Sequence, residues 1–173
     1  MYKRQIAGRA NFMENHKLNL GPVGVTGSDS GNWVAARADV ILSVGSRLQD
    51  FTTGSWTAFA KDAQLISLNT ARHDAGKHMA LSLVGDAKLG LQAIQNKIDG
   101  YQAPSDWIRD AQVQRSKWDE YVVQNVKVGN RPNSYAQAIG VINAICDPRD
   151  RIVAAAGGLP AEIAANWRTL DIG

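Results

Sequence analysis

Short apolar runs alternate with polar, glycine-marked loops and amphipathic stretches along most of this chain. Val40–Val44 (VILSV), Leu65–Leu68 (LISL) and Leu81–Val84 (LSLV) are rich in β-branched residues and leucine and too short for helices. They read as buried strands of a parallel sheet. Before the first, Ser28 or Asp29 can cap a helix that continues through Trp33, Val34, Ala35 and Ala36. Between the first two, Thr57–Lys61 predicts a short helical turn, and Asn69–His78 a polar loop with another. After the third, Gly85 ends the strand and Asp86 caps a helix to Ile98, whose apolar positions are Leu89, Leu91, Ala93, Ile94 and Ile98. Residues 1–20 are weakly patterned. The alternation predicts an α/β fold, a Rossmann-like parallel sheet with helices on both faces.

Beyond Gly100–Pro104, which reads as a linker, the period lengthens. Trp107, Ile108, Ala111, Trp118, Tyr121 and Val122 mark one face of a helix from Ser105 to about Val126. Val128–Pro132 breaks it. Pro132-Asn133-Ser134 opens another helix with Ala138, Ile139, Ile142 and Ile145 on its apolar face, and Asp147-Pro148 ends it. Arg151–Ala156 (RIVAAA) reads as a strand, and Gly157-Gly158-Leu159-Pro160 turns into a helix near Trp167. The expected organisation is a central Rossmann-like domain over 1–100, incomplete at its N-terminus, a helical linker region over 101–150, and the start of a second α/β domain over 151–173. That last piece supplies a first strand and helix, which cannot bury a core alone.

Composition narrows the function classes. The 173 residues are 45% hydrophobic and 20% charged, as in an ordinary globular domain. Nineteen Lys and Arg face 16 acids without forming a basic stripe, so nucleic-acid binding is not expected. No apolar run approaches the roughly 18 residues of a spanning helix, and no signal core follows Met1-Tyr2-Lys3-Arg4-Gln5, so neither a membrane nor secretion is expected. The single cysteine, Cys146, excludes an internal disulfide framework and fits a reducing, cytoplasmic setting.

Few residues carry candidate chemistry. The spacing of Gly21, Gly24 and Gly27 in GPVGVTG could bring amides to a phosphate, or could serve a tight loop. No clear strand precedes it, so the dinucleotide fingerprint is not met. Arg47 and Asp50 lie just past a strand end, where open α/β sheets take ligands; an internal Arg–Asp pair ordering the loop is the plainer reading. Of His73, Asp74 and His78, only the last two share helical spacing, and no third metal ligand is evident. Cys146 sits on an apolar helix and reads as packing. There is no Gly-x-Ser-x-Gly elbow. The five tryptophans are dispersed and read as packing residues.

The ordered motifs GPVGVTGSDSGN, ADVILSVGSRLQDFTTG and LISLNTARHDAGKHMALSLVGDAKLGLQAI resemble the central domain of thiamine-diphosphate enzymes of the acetohydroxyacid synthase and pyruvate oxidase group. Leu68-Asn69-Thr70 departs from the acid-rich strand end of many members and favours a hydrolase branch that acts on a cyclic 1,2-diketone. The resemblance runs from about residue 6 to the C-terminus; Met1–Gln5 does not share it and reads as an appended segment.

The resemblance implies a parent enzyme of inositol catabolism that uses thiamine diphosphate and Mg²⁺ to hydrolyse a ring C–C bond. The activating glutamate and the metal motif of such enzymes belong to other domains. The chain is therefore expected to supply no catalytic and no metal-binding residue and to be inactive alone. Gly85-Asp86 belongs to the central-domain match, not to the metal motif. By family position, Gly157, Gly158 and Leu159 would lie near the cofactor diphosphate. Expected partners are the remaining domains of the parent enzyme and further copies of the chain, through an exposed sheet edge. The alternatives are a free-standing FAD-binding module built on GPVGVTG and a structural or interaction fragment. Relatives that bind FAD use this domain, but the hydrolase branch is not expected to need it.

Overall fold

The computed structural model describes residues 2–4, 12–129, 133–155 and 157–168. Strands β3 (Val40–Val44), β4 (Gln64–Asn69) and β5 (Leu81–Val84) form a parallel sheet in the order β3-β4-β5. The register sets Ser43 beside Ser67 and Ser82, and Val44 beside Leu68 and Leu83. Two earlier strands, β1 (Tyr2–Arg4) and β2 (Asn19–Pro22), pair parallel in a separate small sheet.

Helices cover both faces of the larger sheet, as the strand–helix alternation predicts. Side chains alternate along a strand, so Ser67 and Leu68 point to opposite faces. Helix α4 (Ala87–Lys97) lies on the Leu68 face: a Cβ on its Gly90 would come within 2.6 Å of a Leu68 methyl. Helix α3 (Arg72–Ala75) lies on the serine face, where Ser82 Oγ donates to the Ala75 carbonyl at 3.0 Å. The cover is uneven. On the Leu68 face, Val40, Leu42 and Val44 remain 50%, 37% and 37% exposed, so no helix among the described residues seals the β3 side.

A second layer forms where α1 (Asp29–Ala35) meets α5 (Ser105–Asn125). Leu20, Val34 and Ala111 make its buried centre, with Trp33 and Trp107 packed against it. The two indoles stack with ring centroids 5.9 Å apart. The Arg37 guanidinium covers Trp33 at 4.5 Å. Ala111, Trp118 and Val122 of the predicted α5 face are buried, whereas Tyr121 is exposed. Helix α6 (Tyr135–Ile145) packs on α7 (Gly158–Asn166). Among the described residues, no helix is long and apolar enough to cross a membrane.

Several expectations are corrected. The helical turn after β3 is α2, Asp50–Thr53, earlier than Thr57–Lys61; Gly54 ends it in a left-handed conformation at φ 57°. Residues 151–155 adopt no regular structure instead of the first strand of a second domain. A strand exists only through a neighbour's hydrogen bonds, and no described strand pairs with this segment. The helix after it forms as expected. The weakly patterned start contains β2, whose Asn19 and Gly21 break any apolar alternation. On α6 the buried residues are Ala136, Gln137 and Ile139, while Ile142 and Ile145 are exposed. Gln137 is inside because it completes a capping box with Ser134 and donates to the Lys127 carbonyl at 2.7 Å. Pro132, Ala156 and residues 169–173 lie outside the described residues.

Candidate functional site

The glycine loop leaving β2 is built from the inside. Gly21 and Gly24 hold φ of 87° and 114°, which side chains rarely adopt. A Cβ on Gly24 would overlap the Phe51 carbonyl and lie 2.8 Å from Thr52 Cα. One on Gly27 would lie 2.8 Å from the Gly24 nitrogen. The amides of Gly24, Val25, Gly27 and Ser28 are already engaged. Gly24 N–H donates to Asn32 Oδ1 at 2.9 Å, and Asn32 Nδ2 donates back to the Gly24 carbonyl at 3.0 Å. Gly27 N–H donates to Gly24, Ser28 N–H to Pro22, and Val25 N–H to Phe51, each at 2.9 Å. Ser28 Oγ caps α1 by accepting from Gly31 N–H and donates to the Leu20 carbonyl. The glycines therefore serve close packing. Asn32, which clasps both polar groups of Gly24, escaped sequence reasoning; its one signal is a carboxamide in the first turns of a helix that follows a glycine loop.

The Val25–Phe51 bond places the glycine loop beside the segment after β3. Here Leu48 is buried at φ 46° and anchors the turn, its N–H held by Ser46 Oγ at 3.0 Å. Asn69, at the end of β4, donates to the Ser46 carbonyl at 3.1 Å and accepts from Ala71 N–H. This is what an asparagine, in place of an acid, does at that strand end: it joins two loops. The expected Arg47–Asp50 pair is absent among the described residues. Asp50 accepts instead from Ser55 Oγ, and the Arg47 carbonyl receives Lys77 Nζ at 3.2 Å. Arg47 keeps its side chain in solvent at the sheet end where ligands of open α/β folds bind.

His73, Asp74 and His78 do not converge. Asp74 forms an ion pair with Lys77 at 2.6 Å, while His78 stacks on Trp56. The Lys77 hydrogen bond, and then its charge, holds the Asp74 carboxyl below its ordinary 3.8. A depressed carboxyl favours the folded state above its unfolded value, and that contribution is lost as pH falls through the folded value. The expected result is an Asp74 carboxyl NMR titration centred below 3.8 in the native chain and shifted up toward it in K77M. Coincident midpoints would remove this pair from any account of acid stability.

Among the described residues, no group of three or more His, Cys, Asp and Glu comes together as a metal site. Asp86 is spent as the cap of α4, accepting from Leu89 N–H at 3.0 Å. Cys146 is a half-buried free thiol at the end of α6. Gly157, at φ 137°, caps α7, and Gly158 and Leu159 form its exposed first turn. That turn presents amides to solvent, as an anion would require. Helix α7 packs on α5 and α6.

The strongest polar cluster lies elsewhere and ties the ends of the chain together. Arg115 of α5 reaches Glu14 at 3.1 Å and Asp119 at 2.9 Å, and also donates to the Asn19 and Glu14 carbonyls. Arg168 reaches the same Glu14 at 3.0 Å and the same Asp119 at 2.8 Å. Burial works against the Arg115 charge, but the bonds and charges of Asp119 and Glu14 outweigh it and hold the guanidinium above its ordinary arginine value. A cation at position 115, inside the stripe of Trp107, Ala111, Trp118 and Val122, was the available signal. Each acid of the cluster meets both arginines, and the cluster reads as structural.

A family model for the central domain of thiamine pyrophosphate enzymes matches residues 4–94. The chain is also similar to proteins described as 3D-(3,5/4)-trihydroxycyclohexane-1,2-dione hydrolase. It is 31% identical to that of Geobacillus thermodenitrificans over 95% of this chain and 29% of the relative. It is 28% identical to that of Clostridium perfringens, over 94% and 29%, and 30% identical to that of Bacillus velezensis, over 94% and 30%. The chain thus spans less than a third of the length of these relatives.

Proposed function

This chain belongs to the thiamine pyrophosphate enzyme family through the central domain it contains, and we propose that it is the central scaffold of a hydrolase that opens the ring of a cyclic 1,2-diketone in inositol catabolism. The observation that carries this reading is the similarity of 94–95% of the chain to three hydrolases of that description.

The residues present fit a positioning role better than a catalytic one. Cofactors of this class carry the difficult chemistry, and the protein supplies binding and orientation. The exposed turn Gly157-Gly158-Leu159 offers amides that suit one end of a diphosphate. The described residues do not fit a Mg²⁺ site, because hard cations want converging oxygen ligands and the Asp86 carboxylate is engaged as a helix cap. No step through thiamine diphosphate or Mg²⁺ is therefore derived from this chain. In the proposed enzyme, residues 1–100 are the central domain, 101–150 the helical connection, and 151–173 the entry to the diphosphate-binding domain. The remaining domains and further copies of the chain are its partners, and the setting is cytoplasmic.

The glycine loop lends the FAD-module alternative little support, because the amides of Gly24, Val25, Gly27 and Ser28 are taken by Asn32, Phe51, Gly24 and Pro22. Calorimetric titration of the purified chain with thiamine diphosphate plus Mg²⁺, and separately with FAD, tests both points. No saturable heat from either is the expected result. Tight thiamine diphosphate binding would show that the chain holds a cofactor site of its own and sink the scaffold reading. FAD binding would overturn the packing role of the glycine loop.

A further inference from the structure

At the end of the sheet opposite the glycine loop lies a cleft of about 510 Å³. It opens at the N-terminal ends of three strands, against Ile41, Leu65 and Leu81. One wall is aromatic: the Trp56 indole stacks on the His78 imidazole at 3.6 Å and 15°, and Phe59 meets Trp56 edge-on at 5.2 Å. Its volume falls in the roughly 300–1,000 Å³ range of small-molecule sites.

Backbone strain is concentrated at this wall. Ser55, Trp56, His78 and Met79 hold φ of 52°, 67°, 56° and 57°, although none is glycine. Such conformations persist where the surroundings over-determine them, and they cluster at binding and active sites. Burial does not impose them here, because Met79 is 99% exposed and Trp56 is 38% exposed. Hydrogen-bonded turns hold them: Ser55 N–H donates to the Asp50 carbonyl at 3.0 Å, Trp56 N–H to Thr53 Oγ1 at 3.1 Å, and Ala80 N–H to the Lys77 carbonyl at 3.1 Å, which sets Trp56 and His78 face to face at the mouth of the cleft. The charge of the lining has one sign: Lys61 contributes a cation, Gln64 a carboxamide, and none of the described lining residues is acidic.

We propose that this cleft binds a small planar aromatic carboxylate, its ring against Trp56 and Phe59 and its carboxylate toward Lys61. An apolar floor and an aromatic wall favour a flat ring over an aliphatic or sugar-like ligand. A single lysine without a competing acid selects a monoanion over a neutral ring or a cation. The site is independent of the thiamine diphosphate reading, since it uses none of the same residues.

The test uses the whole chain, labelled with ¹⁵N, and two probes of matched ring: 1-naphthoate and the neutral 1-naphthalenemethanol. The expected result is saturable shifts of the Trp56 indole N–H and of the His78 and Met79 amides with 1-naphthoate, while the Trp107 indole stays in place. Lys61→Met, a change at an exposed residue, should weaken 1-naphthoate by about fivefold, the scale of a partly exposed ion pair, and leave 1-naphthalenemethanol unchanged. Absence of saturation at Trp56, saturation at another surface alone, or equal 1-naphthoate affinity in K61M would each overturn the proposal.

Discussion

Gly24→Ala is expected to lower the unfolding free energy by roughly 3 kcal/mol or more, combining strain at a glycine-only φ with a backbone clash. The glycine holds φ 114°, and an added Cβ meets the Phe51 carbonyl and Thr52 Cα, neither of which is the movable end of a side chain. To relieve the contact, the loop must leave α2. That movement would break the Val25–Phe51 hydrogen bond and the clasp by which Asn32 holds both polar groups of Gly24. Domains of this size are stable by about 5–15 kcal/mol, so the loss would be a large fraction of the total. Gly85→Ala is the control, because its Cβ meets nothing within 4 Å and its φ is not positive. Urea midpoints measure the difference. If the two variants unfold together, the loop is not built around this glycine.

The second large effect is expected at Arg115. Arg115→Met keeps most of the stem volume and removes the charge, and should cost about 3–5 kcal/mol, the range for breaking a buried pair by deleting one partner. The cost arises in what is left behind. The side chains of Arg115 and Glu14 are only 13% and 11% exposed, and the Asn19 and Glu14 carbonyls lose the donor that serves them. Asp119 contributes less, since at 42% exposure water screens its charge. A double-mutant cycle with Glu14→Gln isolates the buried leg. Coupling within about 0.5 kcal/mol of zero would place Arg115 among ordinary surface charges.

The fold was legible wherever local pattern and tertiary outcome agree. VILSV, LISL and LSLV are strands because each is a compact apolar run closed by a glycine or a polar turn, and Asp86 and Ser134 cap the helices that follow them. Arg151–Ala155 has equally good strand composition and no ladder, because pairing depends on a neighbour that local sequence does not encode. Strand β2 was hidden by Asn19 and Gly21, both placed for loop geometry: Asn19 accepts from Gly21 N–H and donates to the Met13 carbonyl. Helix α2 was misplaced because Gln49 offers no side-chain cap to announce it. In the candidate site, glycine spacing showed a tight loop but not whether its amides were free. That depended on Asn32, eight positions away from Gly24. The Arg47–Asp50 expectation failed for a similar reason, since Ser55, from beyond the loop, occupies the Asp50 carboxylate.

The ion network around Glu14 also bears on the order in which the chain assembles. Its contacts join residues 101 and 154 positions apart, Glu14 to Arg115 and Glu14 to Arg168. The entropy of closing such loops must be met before the contacts return anything, whereas α5 and the β3–β4–β5 crossovers need only near neighbours. The network is thus expected to close late, after the sheet and helices exist. Interactions formed after the transition state govern how fast a protein comes apart, not how fast it forms. Substitutions at Glu14, Arg115 and Arg168 are therefore expected to speed unfolding and to leave refolding nearly unchanged, a split that the two arms of a denaturant chevron would show.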